Sequence, residues 1–171
     1  MKRLAGDPRY FTYLTDSAAT VSVVLGDARL SLQAAPDGHF QLMVLDAYSS
    51  DSIPVHLLTR EALQLYLRKL SPGGLLAFHI SNLHLNLRPV VAALARDAGL
   101  VCLVQEDAEV SDAEGVQGKS PSQWAVVART AGDVARLQAS ERWVLEAGWP
   151  GDRVWTDDYS SVVSVLNWSL R

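Results

Sequence analysis

The stretch Asp46-Ala47-Tyr48-Ser49-Ser50-Asp51 sets two carboxylates, a phenol and two hydroxyls directly after the apolar run Phe40-Gln41-Leu42-Met43-Val44-Leu45. Carboxylates at such a place can hold a cationic substrate and accept hydrogen bonds from an amine. Aspartate also suits a turn or a helix cap, so Asp46 carries a functional and a structural reading. Asp27, after Gly26, has the same pair of readings: a partner for an exocyclic amine or a ribose hydroxyl, or the N-cap of a helix starting at Ala28. Asp157-Asp158-Tyr159 is a second acidic cluster. Adjacent carboxylates repel, so it would welcome a cation or sit as a solvated turn.

The remaining polar residues are weaker candidates. Tyr48 and Tyr159 read as packing residues with a polar tip. His79 and His84 define no metal-binding face, and no metal site is expected. His56 could cap the helix that follows it or touch a ligand. Cys102, the single cysteine, reads as a small buried hydrophobe and excludes both an internal disulfide framework and a multi-cysteine metal centre.

The elements that must position these groups alternate. Strands are expected at 21–25, 40–45, 75–80, 101–105 and 123–128. Helices are expected from Asp7-Pro8 to about residue 14, at 28–35, from a Thr59 cap to about 70, at 87–98, and at 133–147 in one or two pieces. Glu61 near the start of the helix capped by Thr59, and Arg68 and Lys69 at its end, complement the helix dipole. Residues 106–121 read as a loop. Near-continuous apolar strands separated by helices predict an α/β fold with a mostly parallel sheet flanked by helices. Ligands of such sheets sit beyond the carboxyl ends of the strands, so Gly26-Asp27, Asp46 and Ser81-Asn82 are expected on one edge.

Composition narrows the function classes. The 171 residues are 49% hydrophobic with 11 glycines and 7 prolines, which excludes a disordered or collagen-like chain and allows one domain with a substantial core. A net charge of −4 argues against general nucleic-acid binding, which needs a basic face. No apolar stretch reaches the ~18 residues of a membrane span, so no direct membrane insertion is expected. These numbers fit a cytoplasmic protein.

Four segments, taken together, carry a resemblance. They are Gly26-Asp27-Ala28-Arg29; Leu45-Asp46 through Asp51 to Pro54; Pro72-Gly73-Gly74-Leu75-Leu76-Ala77-Phe78-His79-Ile80-Ser81-Asn82; and Thr156-Asp157-Asp158-Tyr159-Ser160. In this order they resemble the spermidine synthase-like (polyamine aminopropyltransferase) family, closest to the bacterial branch often fused to a membrane transporter-like part. The resemblance implies a methyltransferase-like, Rossmann-like fold. It also implies transfer of an aminopropyl group from decarboxylated S-adenosylmethionine to a polyamine such as putrescine, without a metal.

By this resemblance Asp46 is similar to the aspartate that orients the attacking amine and assists its deprotonation, and Asp51 to its companion carboxylate. Asp27 is similar to the aspartate that contacts the adenine amine. Gly26, Asp27, Ala28 and Asp46 would bind the nucleoside co-substrate; Tyr48, Asp51, Asp157, Asp158 and Tyr159 would face the polyamine. The family spaces its carboxylates Asp-x-x-Asp, whereas four residues separate Asp46 from Asp51.

The resemblance further implies that residues 1–171 form a single, incomplete domain that lacks the first two strands and the glycine-rich cofactor turn. In the family those strands lie between the segments matching 21–25 and 40–45. Exposed strand edges would follow, covered by a homodimer or by direct pairing of these two segments. The alternatives are an S-adenosylmethionine-dependent methyltransferase on the same fold, and a non-catalytic remnant acting by oligomerisation.

Overall fold

The computed structural model describes residues 7–46, 54–82 and 84–167. The chain divides into two compact units, residues 1–34 and 35–171.

In the first unit, α1 (Ala28–Gln33) starts at an Asp27 cap whose carboxylate accepts from the Leu30 amide at 2.9 Å. The cap reading of Asp27 therefore holds. The helix expected from Asp7 is a single turn instead. The Tyr10 and Phe11 amides donate to the Asp7 carbonyl at 3.0 and 3.1 Å, and the Arg9 guanidinium folds back onto the Asp7 carboxylate. Residues 21–25 form no strand; Val24 and Leu25 are both 73% exposed. An extended segment becomes a strand only by pairing its backbone, and among the described residues of this unit no partner strand exists. Apolar β-branched sequence was not enough.

The second unit is built on β1 (Phe40–Leu45), α2 (Arg60–Lys69), β2 (Leu70–His79), α3 (Arg88–Asp97), β3 (Val101–Asp107), α4 (Asp112–Val116), β4 (Ser122–Ala128), α5 (Ala135–Gln138) and β5 (Val144–Leu145). The described strands order as β1-β2-β4-β3-β5. β1 and β2 pair in parallel, and β3 runs the same way. β4 is inserted antiparallel between β2 and β3. The expected α/β class holds, with three long strands in one direction and a mixed set of ladders.

The antiparallel insertion has a local cause. A parallel neighbour needs a crossover, usually a helix, whereas β3 and β4 are joined by residues 108–121 with only the short α4 in between. The chain therefore turns back beside β3, in register from Val101↔Ala128 to Asp107↔Ser122. The segment expected to be loop thus contains α4. It is capped by Ser111, whose hydroxyl and backbone exchange hydrogen bonds with Glu114.

Both sheet faces are covered. On one, Ala77, Leu103, Val126 and Ala128 pack with Val134, joined by Leu75, Val101, Trp124, Leu137 and Trp143. On the other, α2 lies against β2, and α3 against β3 and β4. Burying a residue such as Leu103, fully shielded at the centre, contributes about 1.5–3 kcal/mol. The helix expected over 133–147 ends at Gln138. Val144 and Leu145 instead pair with Val104 and Leu103, because the free edge of β3 offers a ladder that helical propensity does not match.

The α2–β2 junction is abrupt: Lys69 ends the helix and Leu70 starts the strand. The strand begins five residues earlier than expected and runs through Pro72-Gly73-Gly74. Its register against β1 shifts there, between Phe40 and Leu42. Gly73 has φ +72°, and a Cβ on Gly74 would lie 3.0 Å from the Phe40 carbonyl oxygen and 2.9 Å from that of Ser71. The two glycines let the bulge pass beside β1. The buried Lys69 ammonium is satisfied by the Ala35 carbonyl at 2.6 Å and the Asp37 carboxylate at 2.7 Å.

Among the described strands β1 has a neighbour on one side only, and its Leu42 and Val44 are 56% and 54% exposed. No helix among the described residues is long and apolar enough to cross a membrane.

Candidate functional site

The register of β1 and β2 builds the site. Parallel pairing sets Leu45 beside Phe78. The next residue on each strand, Asp46 and His79, therefore emerges on the same carboxyl edge and the same face. There the Asp46 Oδ1 and His79 Nδ1 lie 2.8 Å apart. The aspartate side chain remains 58% exposed while the histidine is 24% exposed. This leaves a carboxylate open to solvent on a partner sunk into the fold.

The partner is itself held on two sides. His79 pairs with Trp124 across the β2–β4 ladder, and the rings stack with centroids 4.6 Å apart at 22°. Its other nitrogen, Nε2, lies 2.7 Å from the Ser81 hydroxyl, which accepts from the Gln123 amide at 2.7 Å. The row Asp46–His79–Ser81–Gln123 thus crosses three neighbouring strands. Ser81 and Gln123 also line a cavity of about 690 Å³, together with Asn82, Asn86, Arg88 and Glu106. That cavity opens where β2 and β3 end and β4 begins, on the edge where ligands of α/β sheets gather.

The other expected site residues fall as follows. Asp46 and Ser81 gather on one edge as expected, through His79. Asn82 is committed to its turn: its Oδ1 accepts from the His84 and Leu85 amides at 2.9 and 2.8 Å. Gly26, Asp27 and Ala28 belong to the first unit, where Asp27 caps α1. Tyr48 and Asp51 lie outside the described residues.

Asp157, Asp158 and Tyr159 form a tight turn in which Thr156 and Tyr159 exchange backbone hydrogen bonds. The turn is pinned to the N-terminus of α2. The Thr59 hydroxyl donates to Asp157 Oδ1 at 2.8 Å, and the Asp157 amide donates to Glu61 Oε2 at 2.9 Å. A helix that returns the chain from β1 to a parallel β2 starts beside the carboxyl ends of the strands, so this turn lies on the same edge as Asp46. Arg153 lies 4.3 Å over the Tyr159 ring, a cation–π contact that agrees with a packing residue.

Residue types alone did not single out His79, Ser81 or Trp124 as a set. The available signal was that Asp46 and His79-Ile80-Ser81 each end an apolar strand. Using it required knowing that these strands are neighbours and in which register. No group of three or more histidine, cysteine or acidic side chains suited to a metal occurs among the described residues. Cys102 is buried, and burial pushes its thiol up to about 12, with Glu146 adding to the rise.

No family model matches the sequence, and no curated protein matches it. Solved structures do match. A probable spermidine synthase from Corynebacterium glutamicum superposes with a TM-score of 0.54 at 17% identity, over 85% of this chain and 57% of that one. MnmC2 from Aquifex aeolicus superposes with a TM-score of 0.41 at 18% identity, over 80% of this chain and 42% of that one. The chain spans little more than half the length of the first of these. What it shares with that probable spermidine synthase is the fold, an α/β methyltransferase-like sheet with flanking helices.

Proposed function

We propose that this chain carries an aminopropyltransferase-like site, in which Asp46 receives the acceptor amine of a polyamine such as putrescine. The observation that supports the reading is Asp46 itself: a strand-end carboxylate, 58% exposed, with one oxygen engaged by His79. An ammonium has no lone pair, so it must lose a proton before it can attack carbon. A carboxylate can both hold the cation and accept that proton. Decarboxylated S-adenosylmethionine, when bound, supplies the carbon under attack and a thioether leaving group.

The residues present suit such a pair of cationic substrates. Asp46 offers negative charge at the sheet edge, and the Asp157–Asp158 turn adds two more carboxylates on that edge. Within this reading Tyr48, Asp51 and Tyr159 would bind the polyamine.

The test is calorimetric binding of methylthioadenosine and of S-adenosylmethionine to the purified chain, followed by a transfer assay on Asp46→Asn. Loss of general-base help predicts a fall in turnover of about 10²–10⁴-fold with nucleoside affinity unchanged. A folded chain that binds neither nucleoside, or an Asp46→Asn variant with full turnover, refutes the proposal.

A further inference from the structure

We propose that His79 is the positioning residue of the amine-accepting carboxylate: through its Nδ1–H it fixes the rotamer of Asp46, and Ser81 sets the tautomer that makes this possible. The proposal rests on the reading of Asp46 given above.

The argument follows the protons. An ionised Asp46 accepts only, so the 2.8 Å contact requires the ring proton on Nδ1. A neutral imidazole with Nδ1–H must then accept at Nε2. The Ser81 hydroxyl stands there at 2.7 Å, much nearer than its other acceptor, the Gln123 carbonyl at 3.4 Å, and donates to the ring. Its oxygen is held in turn by the Gln123 amide at 2.7 Å. Every group in the row then has one consistent role: Gln123 N–H to Ser81 Oγ, Ser81 O–H to His79 Nε2, His79 Nδ1–H to Asp46 Oδ1. Which nitrogen of a histidine carries the proton is set by the bond at the other nitrogen, and here that bond is anchored in the β4 backbone.

The ring plane is fixed as well. Trp124 stacks on it from the neighbouring strand, so the imidazole cannot swing away from Asp46 without unstacking. A carboxylate more than half exposed would otherwise sample several rotamers. Holding it by one oxygen keeps the carboxylate in place, with its other oxygen open to take the proton of an incoming ammonium; that proton moves to Asp46, and the freed amine keeps the lone pair for attack. Misplacement of a reacting group by about 1 Å can cost 10²-fold in rate.

The same order of groups, carboxylate–imidazole–hydroxyl, occurs in hydrolases that use serine as nucleophile. Here the Ser81 oxygen already accepts from the Gln123 amide, which favours the hydroxyl as the anchor of the ring.

Two sets of measurements decide the matter. The first is long-range ¹H–¹⁵N NMR of the histidine rings in the folded protein at pH 8, with the His79 signals assigned by their loss in His79→Asn. The Nδ1–H tautomer is expected at His79 and a tautomer mixture in Ser81→Ala. An Nε2–H tautomer in the unmodified protein, or no change in Ser81→Ala, overturns the proposal. This readout needs no enzymatic turnover. If no aminopropyl transfer is detected with the unmodified chain, the reading of Asp46 as amine acceptor falls, while the tautomer still decides whether His79 and Ser81 hold that carboxylate.

The second set is kinetic. His79→Leu keeps the bulk but removes the donor, and should lower kcat about 10–100-fold with KM for the nucleoside donor within about twofold. His79→Asn, which offers an N–H near the Nδ1 position, should recover most of the loss. Equal rates for His79→Leu and the unmodified protein, or labelling of Ser81 by an organophosphonate, would overturn the assignment.

Discussion

The end of α2 is closed by an arginine at the end of the strand next to β2, and its removal is a demanding test of the architecture. Arg129 follows β4. Its Nη1 donates to the Ser71 carbonyl at 2.9 Å, and its Nη2 to those of Leu67 and Leu70 at 2.6 and 3.1 Å. The Leu67 carbonyl is among the last four of the helix, which have no intrahelical partner. Leu70, only 3% exposed, is the residue where helix becomes strand without a loop. Arg129→Met keeps the apolar stem and removes all three donors.

Each bond from a charged donor contributes about 1.5–3 kcal/mol, but the three share one guanidinium and are not additive. Some of the freed carbonyls regain water. The expected loss is about 2–4 kcal/mol. With m of about 2 kcal/mol/M in urea, the unfolding midpoint should fall by about 1–2 M at unchanged m. Arg129→Lys, a point charge without the planar fork, should fall between the two. A midpoint shift under about 0.3 M for Arg129→Met would refute the claim that this residue ties β4 to the α2–β2 junction.

Two further outcomes concern single ionisable groups. Glu114 is held down from its ordinary 4.5 to about 2, first by the hydrogen bond from Lys119 and then by those from Ser111. Its folded-state value is depressed, so its contribution to stability is full above the ordinary value and fades as pH falls toward about 2; an NMR titration of the Glu114 carboxyl should show this, and Lys119→Met should raise the midpoint. Cys102, with its thiol pushed up to about 12 by burial, should resist maleimide at pH 8 in the folded protein and react once urea unfolds it; fast labelling of the native state would contradict its burial.

Much of the local structure was legible in the residues because its causes are local. Thr59 caps α2 and accepts from the Ala62 amide at 3.2 Å, as the residue type and the apolar pattern behind it required. Asp27 caps α1 for the same reason. The apolar runs at 40–45, 101–105 and 123–128 each form strands, the first with the expected bounds and the other two with one end moved by one or two residues. Asp46 could be singled out because a charge ending an apolar run is costly to bury and so marks a strand end.

What stayed hidden depended on partners distant in sequence. Residues 21–25 have the composition of a strand and form none, whereas Val144 and Leu145 lie in a stretch with a helical pattern and pair with β3. In both cases the deciding term is whether a backbone ladder is available, which no short window of sequence contains. The candidate site shows the same division. The sequence by itself determined that a carboxylate stands at the end of an apolar strand and that a histidine and a serine close another. Only the tertiary structure decided that these strands are parallel neighbours in a register that sets Asp46 against His79, and that an antiparallel β4 brings Trp124 and Gln123 to the imidazole and to Ser81. Hydrogen bonds act over about 3 Å, and strand order and register determine which residues come that close.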